Sequence, residues 1–224
     1  MNYLAIDTAG NALEILVKKG DKSYFWRDPD FKKTSEILLV KIDEMLGKAG
    51  ITLSDLDYYA CVTGPGSFTG IRIGVTTVRT FASVNSAKVI AVNSLEKLAY
   101  NKVRRGVESI VSVVNAYADN CYLSVYSPSH ETLFAPVSMT YDEAKKFIAL
   151  VDEPSVVFAD KKSSEAIKGT KADDGEISLA LAVENAIASG KETSYEKVEP
   201  FYLLKSQAER DKEAKERKDG TVSL

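Results

Sequence analysis

The chain has a single histidine, His130, in 224 residues, and two cysteines, Cys61 and Cys121. These scarcities exclude several kinds of chemistry. A zinc hydrolase needs a second imidazole or a cluster of thiols and carboxylates, and the sequence contains no HExxH, HxxxH or CxxC. A Ser-His-Asp hydrolase would have to use His130, which sits in the turn-like run Ser127-Pro128-Ser129-His130. Ser67, within Gly66-Ser67-Phe68-Thr69-Gly70, does not match a nucleophile elbow, which needs one residue between the serine and each glycine. Both cysteines lie in apolar runs and read as buried thiols, not as a disulfide framework.

Long apolar runs are also missing. None approaches the 18 residues of a membrane span. The opening Met1-Asn2-Tyr3-Leu4-Ala5-Ile6-Asp7 lacks the basic and apolar regions of a signal peptide, so a cytoplasmic protein without membrane attachment is expected. Charge of one sign is not in excess either. The formal net charge is -3, which gives no global attraction to nucleic acid. What is present is ordinary for a globular protein: 45% hydrophobic and 27% charged residues. The length fits one large domain or two small ones.

Alternation and turn residues predict an ordered set of elements. Strands are expected at residues 3–8, 12–18 and 22–27. A helix follows from Thr34 to about Lys48, then a strand at 58–63, a helix at 69–84, a strand at 88–92 and a helix from Ser94 to about Val103. The order then recurs, with strands at 109–115, 121–126 and 132–138, a helix at 141–151, a strand at 155–159 and a helix at 177–189. The two openings are alike: Ile6-Asp7-Thr8-Ala9-Gly10 against Val114-Asn115-Ala116-Tyr117-Ala118. A repeated βββαβα order predicts an α/β protein of two tandem ribonuclease H-like lobes, as in the actin, Hsp70 and sugar-kinase (ASKHA) architecture. The N-terminal lobe is expected at 1–104 and the C-terminal lobe at 105–204. A charged tail, helical or disordered, is expected at 205–224.

The run Gly64-Pro65-Gly66-Ser67-Phe68-Thr69-Gly70-Ile71-Arg72-Ile73-Gly74 sits between a strand and a helix, the place of a phosphate cradle. It lacks the Gly-Lys-Ser/Thr ending of a P-loop, since Gly70 is followed by Ile71-Arg72. A nucleotide site in a two-lobe fold calls for an acid after the first strand of each lobe. The first lobe has Asp7. The second has the neutral Asn115, which brings no charge to Mg²⁺, followed by the bulky Tyr117. A glycine pair for an adenosine is missing, because Gly169 and Gly175 stand apart. Asp7, Ser67 and Arg72 remain as nucleotide-proximal candidates. Asp7 also suits a plain turn-orienting role.

The two long helices of the first lobe are apolar over much of their circumference. The first carries Leu38, Ile42, Met45 and Ala49 in one stripe, with Leu39 and Leu46 beside it. The second carries Ile71, Val75, Val78 and Ala82 in one stripe and Gly70, Gly74, Thr77 and Phe81 in another. A helix that only covers a sheet needs one stripe. Gly74 at mid-helix costs about 1 kcal/mol against Ala, which asks for a packing reason. Packing within the chain and packing against a partner's helix both answer it.

Several of these segments together resemble the TsaB (YeaZ) family. They are Tyr3-Leu4-Ala5-Ile6-Asp7-Thr8, Ser35-Glu36-Ile37-Leu38-Leu39, the Gly64 to Gly74 run, Val92-Asn93-Ser94-Leu95-Glu96-Lys97-Leu98-Ala99 and Pro200-Phe201-Tyr202-Leu203. The resemblance covers nearly the whole chain, and the glycine run is its most specific part. It implies a two-lobe fold without working catalytic machinery. The implied role is that of a non-catalytic scaffold or activating subunit of the tRNA N6-threonylcarbamoyladenosine (t6A37) modification complex, with no protease activity. The implied partners are the catalytic paralogue TsaD, the ATPase TsaE, and a second copy in isolation. tRNA would be met only through the complex. No cofactor or metal is implied for this chain, since ATP, ADP and metal would belong to TsaD and TsaE. The implied partner surface includes Leu38, Ile42, Met45, Gly70, Ile73, Gly74, Thr77 and Phe81. The sequence departs from the family at Thr34, where a histidine is common, and at Asn115-Ala116-Tyr117, where Asp-Ala-Arg is usual. A small ATP-dependent phosphotransferase of the same fold is the alternative, resting on Asp7 and the glycine run.

Overall fold

A computed structural model describes residues 1–10, 12–29, 34–103, 105–151 and 154–204, without the side chain of Thr34. The first sheet has five strands: β1 (Asn2–Asp7), β2 (Leu13–Lys19), β3 (Lys22–Asp28), β4 (Tyr58–Gly64) and β5 (Lys88–Asn93). Their order is β3-β2-β1-β4-β5. β1 pairs antiparallel with β2, Ile6 opposite Ile15, and parallel with β4, Ile6 opposite Cys61. Residues 3–7 are all buried. A strand reads as a continuous apolar run when both faces of its sheet are covered.

The covering helices can be assigned by parity along β1. Ile6 faces α2 (Phe68–Asn85), where it approaches the position a Cβ on Gly74 would take. Tyr3 lies an odd number of residues away and so points to the opposite face, where its hydroxyl donates to Glu184 at 3.2 Å. Glu184 belongs to α6 (Glu176–Ala188) and also pairs with Lys18 on β2 at 3.0 Å. α1 (Thr34–Ala49) packs on β2 and touches α2, so α1 and α2 share one face of the sheet.

The second sheet repeats the plan with β6 (Ser109–Asn115), β7 (Asn120–Tyr126), β8 (Thr132–Thr140), β9 (Ser155–Ala159) and β10 (Lys171–Ala172). Their order is β10-β9-β6-β7-β8. On β7, Cys121, Leu123 and Val125 face a core shared with α4 (Tyr141–Ile148) and α5 (Lys161–Ala166). Tyr122 and Tyr126 point the other way, towards α3 (Ser94–Ala99).

Each lobe is therefore a βββαβαβ unit with the expected ribonuclease H-like topology, followed by one more helix. Those last helices are exchanged. α3 follows the first sheet but packs on the second. α6 follows the second sheet but places Leu179, Ala182, Val183 and Ala186 in the core of the first. Burying Leu179 and Val183 stabilises this exchange by roughly 1.5–3 kcal/mol each. The expected lobe boundary at residues 104 and 105 thus divides the sheets and not the cores. α3 is shorter than expected because Asn101 turns its side chain back to the carbonyl of Leu98. α5 and β10 are additions to the expected order. The expected tail, 205–224, lies outside the described residues.

Candidate functional site

The glycine run is shaped by its own neighbours. β4 ends at Gly64, whose φ of 112° suits glycine. A Cβ there would lie 2.6 Å from the carbonyl oxygen of Phe201. Ser67 caps α2, its hydroxyl accepting from the Gly70 amide at 3.2 Å. Gly66, Gly70 and Gly74 recur every four residues and share one face. Against that face lies the turn after β1. A Cβ on Gly66 would lie 2.3 Å from the Ala9 carbonyl oxygen, one on Gly70 1.9 Å from that of Thr8, and one on Gly74 2.4 Å from Thr8 Oγ1. The contact is cemented by Thr8 Oγ1, which donates to the Gly70 carbonyl at 2.7 Å, and by the Ser67 amide, which donates to Ala9 at 2.7 Å. The glycines let a helix and a β-turn of one chain touch. Their small size is used within the chain, against Thr8 and Ala9.

The expected partner residues divide accordingly. Leu38, Ile42 and Met45 are 1%, 2% and 2% exposed and form part of the first core. Gly70 and Gly74 are buried against Thr8. In the isolated chain these five serve internal packing. Ile73, Thr77 and Phe81 are partly buried and lie along one outer edge of α2. The outward face of α1 holds residues outside the expected set: Leu39 and Val40 are 56% and 57% exposed. Around them stand the exposed acids Glu36, Asp43 and Glu44, whereas the outer part of α2 carries Arg72 and Arg79.

The nucleotide-proximal candidates do not converge. Ser67 is spent on the helix cap. Arg72 lies over the Phe68 ring at 4.1 Å and donates from Nε to the Tyr202 hydroxyl at 3.1 Å, while Phe68 and Tyr202 stack at 4.6 Å. Asp7 faces another place, a cleft of roughly 230 Å³ between the lobes. Glu14, Arg27, Ser94 and Lys97 line it from one side, Asp160, Lys161 and Ser164 from the other. One Asp7 oxygen accepts from the Ala9 amide at 2.8 Å, the turn-orienting role that suits this position. The other meets Lys97 at 2.8 Å. Asn115, its counterpart in the second lobe, accepts from the Tyr141 hydroxyl at 3.1 Å. His130 is half-buried and stacks on Tyr100 with ring centroids 3.9 Å apart, where burial lowers its pKa.

Lys97 is the residue that sequence reasoning missed. It is 3% exposed and lies at 2.8 Å from Asp7, 2.5 Å from Glu14 and 3.1 Å from Asp173. Burial alone would lower its pKa. The three carboxylates outweigh that and hold the ammonium well above its usual range. For Glu14 burial wins and pushes the carboxyl up, despite Lys97. For Asp173 burial is outweighed by Lys97 and by hydrogen bonds from Ser178 and Asn101, and its carboxyl is held below the usual range. The available signal was a lysine inside the apolar stripe Leu95, Leu98, Ala99. Among the described residues no group of three or more His, Cys, Asp or Glu is arranged to hold a metal, and no helix is long and apolar enough to cross a membrane.

Comparison with known proteins places this arrangement. The profile of the family described as "TsaD: tRNA N6-adenosine threonylcarbamoyltransferase" matches residues 31–210. The "tRNA threonylcarbamoyladenosine biosynthesis protein TsaB" of Haemophilus influenzae is 30% identical over 126 residues, 55% of this chain and 53% of that protein. The protein of the same description from Bacillus subtilis is 31% identical over 128 residues, 56% and 55% of the two chains. The chain thus spans about half the length of the curated relatives it matches. Among solved structures, "YeaZ from Pseudomonas aeruginosa" superposes with a TM-score of 0.73 at 24% identity, covering 90% of this chain and 99% of that one. That likeness bears on the fold alone.

Proposed function

The chain belongs to the TsaB (YeaZ) family of TsaD-like proteins, and from that membership we propose that it is the non-catalytic accessory subunit of a tRNA t6A37 modification complex. In this reading it docks on a TsaD-like catalytic subunit through the outward face of α1 and the partly buried outer edge of α2. A TsaE-like ATPase joins the complex, and tRNA is met only through it. ATP, ADP and metal are held by those partners. The same face pairs two copies of the chain when the catalytic subunit is absent.

The observation that carries the docking site is the outer surface of the first lobe. Leu39 and Val40 stand exposed on a helix whose inner stripe already fills the core. Ile73, Thr77 and Phe81 continue an apolar edge on α2. Exposed acids on α1 and arginines on α2 supply charges of both signs, which favour register and partner choice. The phosphotransferase reading is weaker, because both oxygens of Asp7 are engaged within the protein.

The test is reconstitution of tRNA modification with the TsaD-like and TsaE-like proteins of the same organism. Modification of adenosine 37 is expected only when this chain is added. Equal modification without it would contradict the proposal.

A further inference from the structure

We propose that Lys97 is an internal counter-cation that fixes the two lobes relative to each other without a bound ligand, by joining Asp7 and Glu14 of the first sheet to Asp173 at the crossover from the second. This holds whether or not the chain is an accessory subunit.

The geometry is complete on both sides of the ion pairs. An ammonium has three donors, and Lys97 faces three carboxylates. Each carboxylate is held by its second oxygen as well. Asp7 accepts from the Ala9 amide. Glu14 meets Arg27 Nε at 3.2 Å. Asp173 accepts from Asn101 Nδ2 at 2.9 Å and from Ser178 Oγ at 2.6 Å. Asp173 directly follows β10, the last strand of the second sheet, and precedes α6, which packs on the first. Lys97 lies on α3, which leaves the first sheet and packs on the second. The cluster therefore sits where both exchanged helices cross between the lobes. Buried charges persist only when paired. Opening the cleft would strip at least one carboxylate of its cation, so closure is built into the chain. A magnesium nucleotide would have to displace this ammonium to reach Asp7.

The test uses the full chain with spin labels at Lys22→Cys on β3 and Leu133→Cys on β8, exposed positions on the outer edges of the two sheets. The native Cys61 and Cys121 are buried. Pulsed electron–electron distance measurement is expected to give one narrow distribution, unchanged by magnesium ATP. Lys97→Met is expected to broaden it and to lower the melting temperature by about 10 °C. A folded Lys97→Met protein that keeps the narrow distribution overturns the proposal. So does a shift of the unsubstituted, labelled chain on adding magnesium ATP. If Lys97→Met does not fold, Asp173→Asn decides by the same measurement. That variant removes one charge and leaves room for the hydrogen bonds to Asn101 and Ser178. Broadening is expected, and an unchanged distribution overturns the proposal.

Discussion

The two lobes share one strand order and differ most in the helices laid on their outer faces. α1 and α2 have 16 and 18 residues, about 24 and 27 Å at 1.5 Å per residue. The corresponding α4 and α5 have 8 and 6 residues, about 12 and 9 Å. Both sheets have five strands. The short pair is enough to bury Val111, Val113, Leu123 and Ala144 in the second lobe. Covering a sheet of this size therefore does not require long helices, and the first lobe has helical surface left over. Leu39 and Val40 stand on that surplus. The comparison teaches that the first lobe carries more outward helical surface than a five-stranded sheet needs to be covered, and in the proposed function that surplus is the docking face.

The slot after the first strand shows the same divergence at atomic scale. In the first lobe, Ser67 caps α2 by accepting from Gly70, three residues on. In the second, Asp160 caps α5 by accepting from Ser163, also three residues on, at 2.8 Å. The cap is alike, but α2 rests on the strand turn through Gly70, whereas at the matching position of α5 Ser163 meets the Tyr141 hydroxyl. Gly70→Ala is expected to be the most damaging change, since its Cβ meets backbone at 1.9 Å. A cost of about 3 kcal/mol is expected by denaturant titration. Asp160→Ala should cost about 1–2 kcal/mol, because that carboxylate also accepts from the Asn115 amide at 3.2 Å. Ser67→Ala loses only the cap and should cost about 1 kcal/mol. Ser163→Ala loses the 3.2 Å contact with the Tyr141 hydroxyl and should cost about 0.5–1 kcal/mol. If Gly70→Ala were no worse than Ser163→Ala, the lobes would not differ in the way described.

Much of this difference was legible in the sequence. Turn residues and alternation located the strands of both sheets apart from β10, because buried strands and their turns leave local signatures. The glycine spacing of four announced a close approach on α2, but spacing does not name the neighbour. Thr8 and Ala9 fill that place through a contact some sixty residues distant in sequence, |i−j| = 62 for the Thr8–Gly70 hydrogen bond. The stripe of Leu38, Ile42 and Met45 was visible too. A helix apolar on two sides does not reveal which side meets the sheet, and the outward residues proved to be Leu39 and Val40. α5 and β10 span too few residues to establish a period. The apolar pattern of α6 required a covered helix without saying that the other lobe's sheet would cover it. Lys97 was hidden because its three acids come from distant parts of the chain, each ordinary in its local context.

The measurement that bears most directly on the docking assignment is light scattering of the chain mixed with the TsaD-like subunit of its own organism. It should be run on the unsubstituted chain, on Leu39→Glu/Val40→Glu, and on Leu133→Glu/Leu150→Glu as exposed apolar positions of the second lobe. All three should melt alike when alone. A heterodimer is expected for the first and third, and a loss of affinity of about 100-fold for the second, given about 2–3 kcal/mol from central apolar contacts. A heterodimer that survives Leu39→Glu/Val40→Glu and is lost with Leu133→Glu/Leu150→Glu would contradict the assignment of the first lobe as the docking surface.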